Sequence, residues 1–185
     1  SEALLADGID FDPETVESWE LGFKGESDDR SLRYSFSAFY MEFQDYQLNQ
    51  FIQLSNNTST ITIQNAAEVV SEGIEAEVTW YPTASLLVNA SIGYNNAEFD
   101  SFPGGGSARN PAGVGADLDG NKLPQAPEWS SALAVQYNLP LSGLGGELVT
   151  RVDWTYTDEY YTTEDNVEFA NPGSPIVWGK VDSYS

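Results

Sequence analysis

The chain contains no cysteine and no histidine, a single methionine, and only 7 lysines and arginines in 185 residues. Without cysteine there is no disulfide framework and no thiolate metal site. Without histidine the usual general base, the usual zinc ligand and any Ser-His-Asp triad are missing, so zinc hydrolysis and serine hydrolysis drop out. Against those 7 basic residues stand 29 acidic ones, a formal charge of −22. That charge repels a polyphosphate backbone, and no basic stripe exists to track one, which excludes nucleic acid as a partner. No apolar run approaches the ~18 residues of a membrane-spanning helix. The opening SEALLADGIDFDPE is neither basic nor long enough for a signal peptide, so any export signal is expected outside this chain.

What is abundant points the other way. Five Trp, 10 Tyr and 9 Phe sit beside 16 Gly at a mean hydropathy of −0.35. Aromatics with many Ser, Thr and Asn favour pleated surfaces and turns, and the length supports a sizeable core. The chain reads as all-β. Period-2 alternation marks a strand at 16–25, where Glu17, Trp19, Leu21 and Phe23 oppose Ser18, Glu20, Gly22 and Lys24. A second covers 31–43, with Leu32, Tyr34, Phe36, Ala38 and Tyr40 against Arg33, Ser35 and Ser37, and continues through QDYQLNQFIQ. Its polar side fails at Phe39, Met41 and Phe43. Further strands are expected at 60–81, 85–99, 129–139 and 147–161, with VDSYS at the end of the chain lying inside a seventh.

The connections alternate between short turns (26–30, 81–84, 139–146) and longer or more polar loops (55–58, 100–122, 162–178). Strands wound up and down would place every turn at one end and every loop at the other, the plan of an antiparallel outer-membrane β-barrel. A soluble sandwich alternates too, but several of these segments exceed the ~3–10 residues of soluble strands. Trp80 with Tyr81, Tyr137, and Trp154 with Tyr156 stand near strand ends, where an interfacial aromatic girdle belongs.

Within GIEAEVTWYP, Glu75 and Glu77 share one side of a strand about 7 Å apart, opposite Ile74, Ala76, Val78 and Trp80. A pair of carboxylates at about 6.5–9.5 Å suits an inverting glycosidase. Catalysis, however, needs them on opposite sides of a scissile bond, whereas these hang from one strand; a wet sheet face is the plainer reading. Glu68 and Glu72 lie nearer the loop end. ADLDGNK, residues 116–122, carries a D-x-D-G pattern but lacks the later glutamate of a calcium loop, so it reads as an Asp-Gly turn. Arg151 and Asp153 share a polar face and are expected to form an ion pair. Gly104 to Gly106 lack the strand, lysine and helix of a phosphate loop and read as flexible.

In this order PETVESWELGFKG (13–25), FYMEFQDYQ (39–47), NAAEVVSEGIEAEVTWYP (65–82), SIGYNNAEFDSF (91–102), GNKLPQAPEWS (120–130) and RVDWTYTDEYY (151–161) resemble the C-terminal barrel of TonB-dependent outer-membrane receptors. The resemblance covers nearly the whole chain. It implies that residues 1–185 are part of a 22-stranded barrel, six complete strands and the start of a seventh, with no plug domain and no energy-coupling box. Such a piece leaves two raw edges that a bilayer does not tolerate, so it is not expected to form a stable barrel alone. The implied function is energised uptake of a scarce nutrient, siderophore-bound iron, cobalamin or a saccharide, in the cell outer membrane. No catalytic residue, metal site or cofactor is implied.

The implied partners are outer-membrane lipid and lipopolysaccharide, the TonB complex acting through a plug outside this chain, and a small nutrient ligand. Ile74, Val78, Val88, Ile92, Leu133, Val135 and Val152 would face lipid, with Trp80 and Tyr81 at the periplasmic rim. Glu75, Glu77, Asn89, Ser91, Arg151 and Asp153 would face the lumen as candidate ligand contacts. Two other readings stand beside this one: a secreted β-sandwich that binds or cleaves saccharides, and a self-contained eight-stranded barrel acting as adhesin or pore.

Overall fold

The computed structural model describes residues 13–53, 59–105, 115–143, 145–170 and 177–185. The opening segment before Pro13, the SNNT loop and Gly106 lie outside them. Six long strands run in chain order: β1 (Thr15–Glu26), β2 (Leu32–Gln53), β3 (Ser59–Thr83), β4 (Leu86–Ser101), β5 (Trp129–Leu141) and β6 (Gly146–Thr157). They form one antiparallel sheet in which every strand pairs with its sequence neighbours. At 22 and 25 residues, β2 and β3 far exceed ordinary soluble strands. The alternation of side chains demands a sheet here, and the turns between strands keep it in register.

Local chemistry explains the tight connections. In the turn after β1 the Asp29 carboxylate accepts hydrogen bonds from the Ser27 hydroxyl at 2.6 Å, the Ser31 hydroxyl at 2.8 Å and the Ser31 amide at 3.1 Å. Those bonds hold the Asp29 carboxyl well below its usual range, at about 2. Arg30 beside it takes a left-handed backbone (φ 59°), and its side chain, like that of Arg33, pairs with Glu26. Between β5 and β6 the left-handed position falls on Gly145 (φ 67°), where no side chain resists it.

The loop ends depart from expectation. The strand expected at 147–161 ends at Thr157. Tyr160–Tyr161 (β7) instead pairs with Lys180–Val181 (β10), while Phe169–Ala170 (β8) pairs with Val177–Trp178 (β9). Of the expected seventh strand, only a bridge from Tyr184 to Thr157 reaches the sheet edge. The polar composition of 162–178 conceals this order, because it comes from hydrogen bonds between segments and not from periodicity.

The deepest packing sits at the loop end. Ala67, Val69, Phe99, Phe102 and Leu118 are buried together, with Phe43, Tyr46, Leu48, Ala116 and Leu123 around them. Two register shifts in the β2–β3 ladder, beside the left-handed Asp45 (φ 56°), mark bulges where that cluster begins.

Candidate functional site

The register sorts the side chains into two faces. Across the sheet, Ser35 lies opposite Glu77, Glu77 opposite Ser91, Ser91 opposite Ala132 and Ala132 opposite Thr155. The adjacent row on the same face runs Ser37, Glu75, Gly93 and Ser130. One further row joins Thr79, Asn89, Ala134 and Asp153, and there the Thr79 hydroxyl donates to Asn89 Oδ1 at 2.9 Å. Because residues two apart share a face, the six residues expected to line the lumen all fall on this side. Glu77, Asn89, Ser91, Arg151 and Asp153 border one open hollow of about 330 Å³. A second hollow of about 400 Å³ is bordered by Glu20, Lys24, Glu75 and Glu77.

The expected Arg151–Asp153 pair is present and closely held, with Nη2 2.6 Å from Oδ1 and Nε 2.9 Å from both carboxylate oxygens. Both groups are exposed, so water screens the pair and it adds little to stability. Its consequence is a local charge balance on β6. Glu75 and Glu77 stand on the face as exposed carboxylates. Glu75 and Glu77 hang from one strand on one side of the sheet, so these two residues do not face each other across a cleft.

The opposite face is apolar. Its rows run Leu21, Ala38, Ile74, Tyr94, Trp129; Tyr34, Val78, Ala90, Leu133, Trp154; and Leu32, Trp80, Val88, Val135, Val152. Ile74, Trp80, Ile92, Leu133, Val152 and Trp154 are all exposed, Val152 at 70%. An apolar surface spread over six strands is far larger than a protein in water leaves uncovered. Tyr94 packs on Trp129 with ring centroids 4.8 Å apart, and Trp154 stacks on Tyr156 at 6.3 Å, toward the loop end of this face.

The carboxylate face changes character toward the loops. Phe39, Met41 and Phe43 fall on it, as do Val69 and Phe99, opposite partners in the β3–β4 ladder. Here the chain after β4 folds back over the face and supplies Phe102 and Leu118. The Phe102 amide donates to the Asp119 carboxylate, the Asp119 amide to Asp117 Oδ1 at 3.2 Å, and Leu118 to the Phe102 carbonyl at 3.1 Å. Both aspartates therefore serve the turn, which Gly120 (φ 77°) completes. Gly105 is buried and bridges Ala116; a Cβ there would run into Leu118 and Phe102. That glycine is a packing position, where composition alone suggests flexibility.

Two lysines hold the loop end together. Lys122 Nζ lies 2.7 Å from Glu128 and 3.7 Å from Glu98, and also bonds Asn96. Partial burial pulls its pKa down, but Glu128 and then Glu98 outweigh that, leaving it above the ordinary lysine value. Lys180 Nζ reaches Glu159 at 2.9 Å and Glu168 at 3.4 Å, and its pKa is raised first by Glu159. Neither lysine stood out in the sequence. The one available signal for the inward fold was the apolar intrusion at 39, 41 and 43.

Solved structures share this arrangement. The siderophore receptor PiuA from Acinetobacter baumannii matches 94% of this chain with a TM-score of 0.64 at 24% identity. The ferric yersiniabactin uptake receptor FyuA from Yersinia pestis matches 91% with a TM-score of 0.62 at 19% identity, and the copper transporter OprC 96% with 0.61 at 15%. The chain covers 21%, 21% and 23% of those proteins, so it spans about a fifth of their length. The family model for TonB dependent receptor-like beta-barrels matches residues 4–185, and this chain belongs to that family.

Proposed function

We propose that this chain is one wall of a plugged outer-membrane barrel of about 22 strands, taking up a scarce nutrient with energy from the TonB complex. The observation that supports it best is the division of one continuous sheet into an exposed apolar face and a carboxylate-bearing face. In lipid the first is the natural exterior and the second the lumen wall. Family membership supports uptake of a small solute, as does likeness to a ferric yersiniabactin uptake receptor, a siderophore receptor and a copper transporter.

On this reading Glu75, Glu77, Asn89, Ser91, Arg151 and Asp153 are the lumen positions offered to ligand or plug. Outer-membrane lipid and lipopolysaccharide bathe the apolar face. A water-soluble saccharide-binding sandwich would need a second sheet over that face, whereas the six long strands lie in one sheet. The test is uptake by cells expressing the complete reading frame, using radiolabelled ferric siderophores, cobalamin and oligosaccharides. Accumulation of one class, lost when TonB is deleted, is the expected result; accumulation of none, or uptake indifferent to TonB, would refute the assignment.

A further inference from the structure

The loop after β4 and the loop after β6 are separate in sequence, yet hydrogen bonds join them at several points. The side-chain amide of Asn166 pairs with the backbone of Lys122 on both sides: Oδ1 accepts from the Lys122 amide at 2.6 Å and Nδ2 donates to its carbonyl at 2.9 Å. An amide side chain copies a peptide group, so this contact is a rung of β-ladder supplied by a side chain. Asn166 is held for the task. Its backbone is left-handed (φ 49°), a conformation asparagine tolerates well, and Nδ2 also bonds the Thr163 carbonyl at 3.2 Å. Asn121 Nδ2 reaches the Glu164 carbonyl at 3.1 Å, and the Gln125 amide donates to Tyr161 at 2.8 Å.

Each loop is also closed on itself. The first is pinned to the carboxylate face through Phe99, Phe102 and Leu118. The second is closed by the β7–β10 pair and by Lys180 between Glu159 and Glu168.

We propose that residues 115–125 of the first loop and 158–166 of the second form a single rim element that moves as a unit at the mouth of the barrel, with Asn166 as the positioning residue that joins them. Placement at the mouth of the barrel rests on the receptor reading; the joint itself does not. A solute that displaces one loop then displaces both, and neither closes over a bound solute independently.

Hydrogen exchange on the full-length receptor in detergent micelles, without ligand, tests the joint apart from transport. Asn166→Ala should speed exchange about tenfold in both 118–125 and 159–166 while leaving β3 and β4 unchanged, since a lost hydrogen bond opens only the unit it belongs to. Asn121→Ala, which removes the bond to the Glu164 carbonyl, should quicken exchange in both segments as well. Faster exchange confined to 159–166 would overturn the proposal, because the first loop would then be held by its core alone. Should Asn166→Ala fail to fold, Asn121→Ala decides: exchange quickened in only one of the two segments would equally overturn the proposal.

Discussion

Gly73 shows how narrowly a single residue can be specified. A Cβ there would run into the Tyr94 carbonyl oxygen and the Phe39 ring, so the neighbouring strand and the aromatic both claim the space. Gly73→Ala is expected to cost about 1–3 kcal/mol in denaturant unfolding of the full receptor, as overpacking does. Asp29 offers a pH test at the other end of the sheet. Its folded pKa of about 2 lies below the ordinary 3.8, so the turn's extra stability is present above 3.8 and is lost as pH falls through about 2. Protection of the Ser31 amide, taken relative to its intrinsic exchange rate at each pH, should fall across that window, and Asp29→Ala should abolish that fall. Residues such as Glu75 were legible because alternation assigns their face directly. Asn166 was not, because nothing local marks an asparagine whose partner lies 44 positions away.

At the scale of elements, the strands were readable and the loops were not. Period 2 placed all six long strands within a few residues, since each repeats one physical demand, apolar on one side and polar on the other. The 100–122 segment offered only Gly, Pro, Asn and Asp, which mark a turn without saying what it touches. Its fold depends on Phe102 and Leu118 meeting Val69 and Phe99. The intrusion of Phe39, Met41 and Phe43 into the polar face was the trace of that cover. Phe99 is fully buried there, so Phe99→Ala should cost about 3–5 kcal/mol. Because the cluster sits at the loop end, the loss should appear first as faster exchange in 115–123, with the lower halves of β3 and β4 still protected.

For the whole molecule, the essential claim is that one face of this sheet meets lipid and the other water. On the proposed reading the edge strands β1 and β6 need neighbours along them, because a bilayer cannot satisfy an open sheet edge. The assignment of faces fixes the sign of mutational effects. Val78→Arg should cost the full receptor about 2–4 kcal/mol if it lies near the bilayer midplane, while Glu77→Arg, one residue away, should be tolerated. This chain brings no cysteine of its own to the most direct test. Single cysteines placed from Ile74 to Trp80 in the membrane-embedded receptor would each carry a spin label, and lipid-phase and aqueous quenchers would report its surroundings. On this assignment of faces Ile74, Ala76 and Val78 are expected to respond to the lipid-phase quencher and Glu75, Glu77 and Thr79 to the aqueous one or to neither. Inverted phases, or no alternation along β3, would contradict it.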